Sequence, residues 1–205
     1  MGLDFRYLLF FERAAEMEVF RHLGAISAVR PADPATVEVP TSATFPYRTL
    51  TLPFRAWGGT PQHLWWDDPV WDFAIVLAFE PDEAIEWYQR DGPRLDEQGR
   101  HEIGYIYLTV RRSMADWASG ADGDVVLFDF GTTGSRMSVM FQESESVRRT
   151  MVGLLERCRG VCGIFDMEDT ATLFWWRGRE LEVELPTAEL DLKEVERFVP
   201  SEDLS

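Results

Sequence analysis

FRYLLFFERAAEMEVFRHLG, residues 5–24, decides how the rest of the chain is read. Its first eight residues, FRYLLFFE (5–12), are a short aromatic and apolar run, as a buried strand would be. Beyond Glu12 the period changes. Met17, Phe20 and Leu23 fall at helical spacing, and Gly24 stands where a helix end favours a residue free to take positive φ. The segment reads as a strand running straight into a helix. TVEV (36–39) and YRTLTL (47–52) then alternate with period two and read as two strands.

FAIVLAFE (73–80) repeats the opening. At an offset of 68, Phe11-Glu12 matches Phe79-Glu80, Met17 matches Ile85, Glu18 matches Glu86 and Phe20 matches Tyr88. The second helix spans 82–90 and stops at Asp91-Gly92-Pro93. At the same offset TVEV falls on GYIY, inside the strand IGYIYLTV (103–110), and VVLFDF (125–130) is the next strand. The first 130 residues thus read as two β-α-β-β units. In the last third, Val147, Met151, Leu154, Leu155 and Cys158 form one helical stripe, capped by Ser144 or Ser146 and followed by Gly160. VCGIFDM (161–167), ATLFWW (171–176) and ELEVEL (180–185) make a meander with turns at Glu168-Asp169 and Arg177-Gly178. Alternation places Trp175 and Trp176 on opposite faces, which leaves exposure of one of them open, with core or sheet-edge packing the expected use. A short helix near 191–198 precedes an acidic tail. The expected fold is α+β: a mixed, largely antiparallel sheet built from pseudo-repeated β-α-β-β units, helices mainly on one face. A single domain over 1–205 is expected, with 111–123 as the place for any subdomain boundary.

Acidic residues number 36 against 20 basic ones, a net charge of −16. That field repels phosphate backbones and anionic membranes, and it attracts basic partners. Lys193 is the only lysine, which is the mark of a GC-rich genome more than of a binding site. No apolar run approaches the roughly 20 residues that span a bilayer. The two cysteines make no disulfide framework. The expectation is a cytoplasmic bacterial protein.

Catalytic motifs fail one by one. DFGTTGSRMS (129–138) has strand, glycine turn and helix, but neither GxxxxGK[ST] nor GxGxxG, and no kinase companions. Its plain reading is a β-α turn with Ser135 as cap; its functional reading makes Arg136 an anion anchor. CRGVC (158–162) is not CxxC, and both cysteines read as buried hydrophobes. His22, His63 and His101 form no HExxH, so neither a metal nor a cofactor is expected. The remaining candidate is HLWWDDPVWDF (63–73), within a stretch from Pro53 to Asp72 that keeps no period. Trp71 alternates with Phe73, Ile75, Leu77 and Phe79 and belongs to the core. His63, Trp65, Trp66 and Asp67 remain as a recognition corner.

YLLFF (7–11), GYIYLTV (104–110), SRMSVMF (135–141) and GRELEVE (178–184), in that order, resemble a family of uncharacterised actinobacterial proteins. The resemblance implies no activity and transfers no site residue. Function is therefore expected to be non-enzymatic binding, with immunity-type capping of a basic protein partner as the concrete form. A small-molecule-binding protein or an enzyme of unfamiliar type, with a pocket between the repeats, is the alternative, and a homo-oligomer through an apolar edge is a third use.

Overall fold

The computed structural model describes residues 2–28, 34–40, 47–57, 63–112 and 125–200. The opening strand, β1 (Arg6–Glu12), lies in the middle of an eight-stranded antiparallel sheet. It is flanked by β8 (Val125–Gly131) and β9 (Gly160–Asp166), pairing with both, so its apolar run is buried on both faces. A 3-10 turn leads into α1 (Glu16–Ile26), which carries Val19, Phe20 and Leu23 into the core. Helix α1 does not stop at Gly24. The glycine is needed for another reason: a Cβ there would meet Pro53 at 3.0 Å.

The chain then leaves the main sheet. β2 (Thr36–Pro40) pairs antiparallel with β3 (Tyr47–Thr51) and parallel with β5 (His63–Trp65), giving a separate three-stranded sheet. β4 (Arg55–Ala56) is a two-residue edge on β6 (Val70–Phe79). After β6 come α2 (Glu83–Tyr88) and β7 (His101–Arg111), and β6, β7 and β8 form a meander to one side of β1. α3 (Ser135–Glu143) and α4 (Glu145–Arg157) cross over β1 to reach β9. β9, β10 (Ala171–Trp176) and β11 (Arg179–Leu185) complete the other side, and α5 (Leu192–Glu196) ends the described chain.

The α+β class and the dominance of antiparallel pairing follow the sequence reading. The repeat gains no such support. TVEV belongs to the small sheet, whereas GYIY, aligned with it, belongs to the main sheet, so only the strand-helix halves correspond. Helices α1 to α4 and the small sheet pack on the face of β1 that carries Tyr7, Leu9 and Phe11. The opposite face, with Leu8 and Phe10, meets α5 through Leu192 and Val195. Trp175 and Trp176 lie on opposite faces as alternation requires, and both are buried because both faces are covered there: Trp175 joins the core beneath α1 to α4, Trp176 the core beneath α5. Arg177 and Gly178 have φ of 43° and 95°, the two-residue turn that matches strand twist. Of the stretch 111–123, only Arg111 and Arg112 are among the described residues.

Candidate functional site

The predicted corner divides once it is folded. β5 holds His63 and Trp65 on its exposed face, with Leu64 buried between them. The His63 ring sits edge-on to Trp65, its Nδ1 is 3.1 Å from the Thr36 hydroxyl, and Nε2 is 3.9 Å from Glu38. Trp65 is 51% exposed, and Asp67 is exposed beside it. Trp66 turns the other way. It packs on the core at 6.1 Å from Trp71 and beneath the guanidinium of Arg112 at 4.0 Å. Trp71 is fully buried, as its alternation required. So three of the four candidates share a surface, and Trp66 serves to anchor the loop.

Arg112 explains that anchoring. It is 3% exposed, lies between Trp66 and Trp71, and forms a 2.7 Å ion pair with Glu16, which is wholly buried. Burial pulls its guanidinium below the ordinary value, and Glu16 opposes that pull. The pair ties the first turn of α1 to the end of β7. Nothing in the sequence marks Glu16 as different from its neighbours, since its partner lies 96 positions away.

A larger concavity lies elsewhere. A cleft of about 1490 Å³ runs from the end of α2 and the start of α3 to β4 and the middle of β7. Its floor forms where β6 shifts register between Ile75 and Leu77, which pushes Val76 toward β7. Only glycine fits opposite: a Cβ on Gly104 would stand 2.7 Å from Val76. Aromatic rings line the rim, including Tyr105 at 62% and Trp57 at 46% exposure. Arg55, Arg94 and Arg136 line it too, against the carboxylates of Asp91 and Glu102.

Arg136 is in the cleft, but it is not a free anchor. Its Nη1 donates to Asp91 at 3.0 Å and its Nη2 to the Trp87 carbonyl at 2.8 Å, and it stacks near the rings of Trp87 and Tyr88. It is a latch from α3 to α2, and the exposed carboxylate of Asp91 holds the place of an anion. Through their guanidinium groups, Arg55 and Arg94 make no ion pair or hydrogen bond among the described residues. Ser135 does not cap α3. Gly134 occupies that position, and the Ser135 hydroxyl accepts from the backbone N–H of Leu3 at 2.8 Å.

A second pocket, of about 460 Å³, adjoins the cleft at Thr133 and Gly134. Asp129 is on its floor, in a strand that is otherwise apolar. Burial pushes the Asp129 carboxyl up to about 6, against the pull of Arg6 and Arg111. The signal was present in VVLFDF, where one carboxylate interrupts five apolar residues. Cys158 and Cys162 are buried, and burial raises both thiols, Cys158 to about 11. Among the described residues no three His, Cys, Asp or Glu side chains gather at metal-binding spacing. No described helix is long and apolar enough to cross a membrane. Comparison of the chain with known protein families, curated proteins and solved structures finds no match.

Proposed function

We propose that the chain is a non-enzymatic binding protein whose cleft holds a small organic anion carrying a flat ring. The observation that supports this reading is the composition of the cleft. In a chain of net charge −16, this surface gathers three arginines against two carboxylates, next to exposed aromatic rings. Arg55 and Arg94 supply planar forks for carboxylate or phosphate oxygens, and Tyr105 and Trp57 supply faces for stacking. Arg136 keeps α2 and α3 together and fixes one wall.

Thermal unfolding with phenyl phosphate and 2-naphthoate tests the reading. A ligand at about 100 times its dissociation constant stabilises by about 2.7 kcal/mol. The gain should vanish in Arg94→Ala with Tyr105→Ala. Absence of any shift with either probe, or an equal shift in the double variant, refutes it.

A second reading has its own support in the half-exposed Trp65 beside Asp67 and His63. There the occupant is a basic protein partner, held by an aromatic anchor in an acidic field. Titration with an arginine-rich peptide should weaken steeply with salt and be lost in Trp65→Ala. Equal binding to Trp65→Ala removes that reading.

A further inference from the structure

Among the described residues, the face of the main sheet opposite α1 to α4 is only half covered. α5 closes it over Leu8, Phe10, Val125 and Leu127, and two residues beyond Leu127 the same period brings Asp129 to the open half. The pocket above Asp129 has the segment Leu3–Asp4 and the turn Thr132–Gly134 as walls, with Tyr107, Thr109 and Arg111 of β7 beside them. Asp129 is 7% exposed, yet its carboxylate accepts no hydrogen bond among the described residues.

The nearby hydroxyls and one arm of Arg6 are engaged elsewhere, and Arg111 acts on Asp129 through its charge without a hydrogen bond to it among the described residues. Arg6 donates through Nη2 to Asp166 at 2.6 Å and leaves its Nη1 3.6 Å from Asp129. The Thr109 hydroxyl donates to Asp72 at 2.7 Å, and the Thr132 hydroxyl pairs with Ser138 at 2.7 Å. A buried carboxylate in that condition is costly unless something supplies a donor. Asp4 and Asp129 line the pocket with Arg6 and Arg111, and Asp166 acts on Asp129 from behind Arg6, so three carboxylates stand against two guanidiniums. The missing donor is therefore favoured as a cation.

We propose that this pocket binds an alkyl- or arylammonium group, whose N–H donates to Asp129 while its apolar part lies against the Tyr107 ring. The site is separate from the anion reading of the cleft and stands if that reading falls. The ammonium belongs either to a free amine or to a lysine side chain.

Benzylamine, its neutral analogue benzyl alcohol and an acetylated Gly-Lys-Gly peptide are titrated into the full chain, with backbone amide NMR shifts as readout. Benzylamine should move the Thr109 and Gly131 amides saturably and bind more tightly than benzyl alcohol by about tenfold or more, which is about 1.4 kcal/mol. Binding of the peptide as well assigns the site to lysine side chains; binding of benzylamine alone assigns it to free amines. Asp129→Asn should abolish the shifts. Gly131→Val keeps the carboxylate and fills the pocket instead, since a Cβ there meets Tyr107 at 3.7 Å and Arg6 at 3.8 Å without a clash. The charged groups facing Asp129 are Arg6, Arg111, Asp166 and Asp4. Affinity should fall from about pH 7 to about pH 5 as Asp129 takes up its proton. Equal binding of benzyl alcohol, undiminished binding to Asp129→Asn or Gly131→Val, or no binding of either amine at millimolar concentration overturns the proposal.

Discussion

Removing the Arg112 guanidinium strands the Glu16 carboxylate in the core. Both side chains are essentially inaccessible, at 1% and 0% exposure, and their charged atoms are 2.7 Å apart. At an effective dielectric near 20, such a pair attracts by about 6 kcal/mol, and stacking of a desolvated guanidinium on an indole adds about 2 kcal/mol. Against this stands the desolvation of two ions, several kcal/mol each. The net worth of the pair is therefore small, while the cost of breaking it is large. Arg112→Met should destabilise by about 3–5 kcal/mol. Melting would fall by about 6–20 °C at roughly 2–4 °C per kcal/mol for a chain of this size. Glu16→Leu should cost a similar amount, because it leaves the guanidinium buried without its counter-charge. The double variant should return to within about 1 kcal/mol of the parent or exceed it, since an apolar pair of similar volume needs no ionic partner. Urea unfolding followed by circular dichroism gives the four free energies of the cycle. Additive single effects, with the double variant the least stable of all, would refute the buried-pair reasoning.

Asp82 caps α2 through Ile85 N–H and also accepts from the Ser144 hydroxyl and Ser146 N–H at the start of α4. Asp82→Ala should cost about 2–3 kcal/mol by chemical denaturation. Burial raises the Asp82 carboxyl, but those bonds outweigh it and hold the group below its ordinary value. Its contribution is present above the unfolded value and should disappear as pH falls through the folded one. Asp129 has the opposite sign. Its folded value near 6 lies above the unfolded 3.8, so stability is lost as pH rises between them. Asp129→Asn should match the parent at low pH and exceed it at neutral pH by up to about 3 kcal/mol, and a parent that is equally stable or more so there contradicts the assignment. Thiol reagents at neutral pH should label Cys158 and Cys162 only after unfolding, because neither is exposed and both thiols are raised.

Elements that make their own case locally were legible. β1, the α4 stripe and the Arg177-Gly178 turn each follow from spacing within about a dozen residues. Gly24 misled because two requirements select glycine: a helix end, and a close approach such as the one Pro53 makes here. The tryptophan pair was assigned correctly to opposite faces, but its burial was not legible, because the cover over Trp176 comes from α5, which follows the strand after it. The site was harder to read. Spacing left open whether this loop is exposed or packed on the sheet: Trp65 and Asp67 are exposed, while Trp66 is turned inward against Arg112, 46 residues later in the chain. Arg136 was placed at a concave surface, while its engagement by Asp91 depends on how α2 meets α3, which no spacing encodes.

The two halves of the sheet's second face obey different rules. An antiparallel sheet can leave one face in water if that face alternates with polar residues. β11 does so at its edge, where Glu180, Glu182 and Glu184 are exposed and discourage pairing with another strand; β4, the other edge, is only two residues long. Around β7 the rule is broken. Tyr105, Tyr107 and Trp57 stay exposed, Trp57 and Tyr107 with ring centroids 5.3 Å apart, and Asp129 is buried with Arg6 at 3.6 Å and no hydrogen bond among the described residues. Stability alone would replace the tyrosines with threonine and the aspartate with valine, as the neighbouring positions of β7 and β8 already illustrate. Departures from local consistency that gather at one place are where a fold accommodates function. Here they meet around Thr133 and Gly134, which the cleft and the Asp129 pocket share. This end of the sheet, ahead of the tryptophan corner that the sequence made most conspicuous, is therefore where we propose the binding surface.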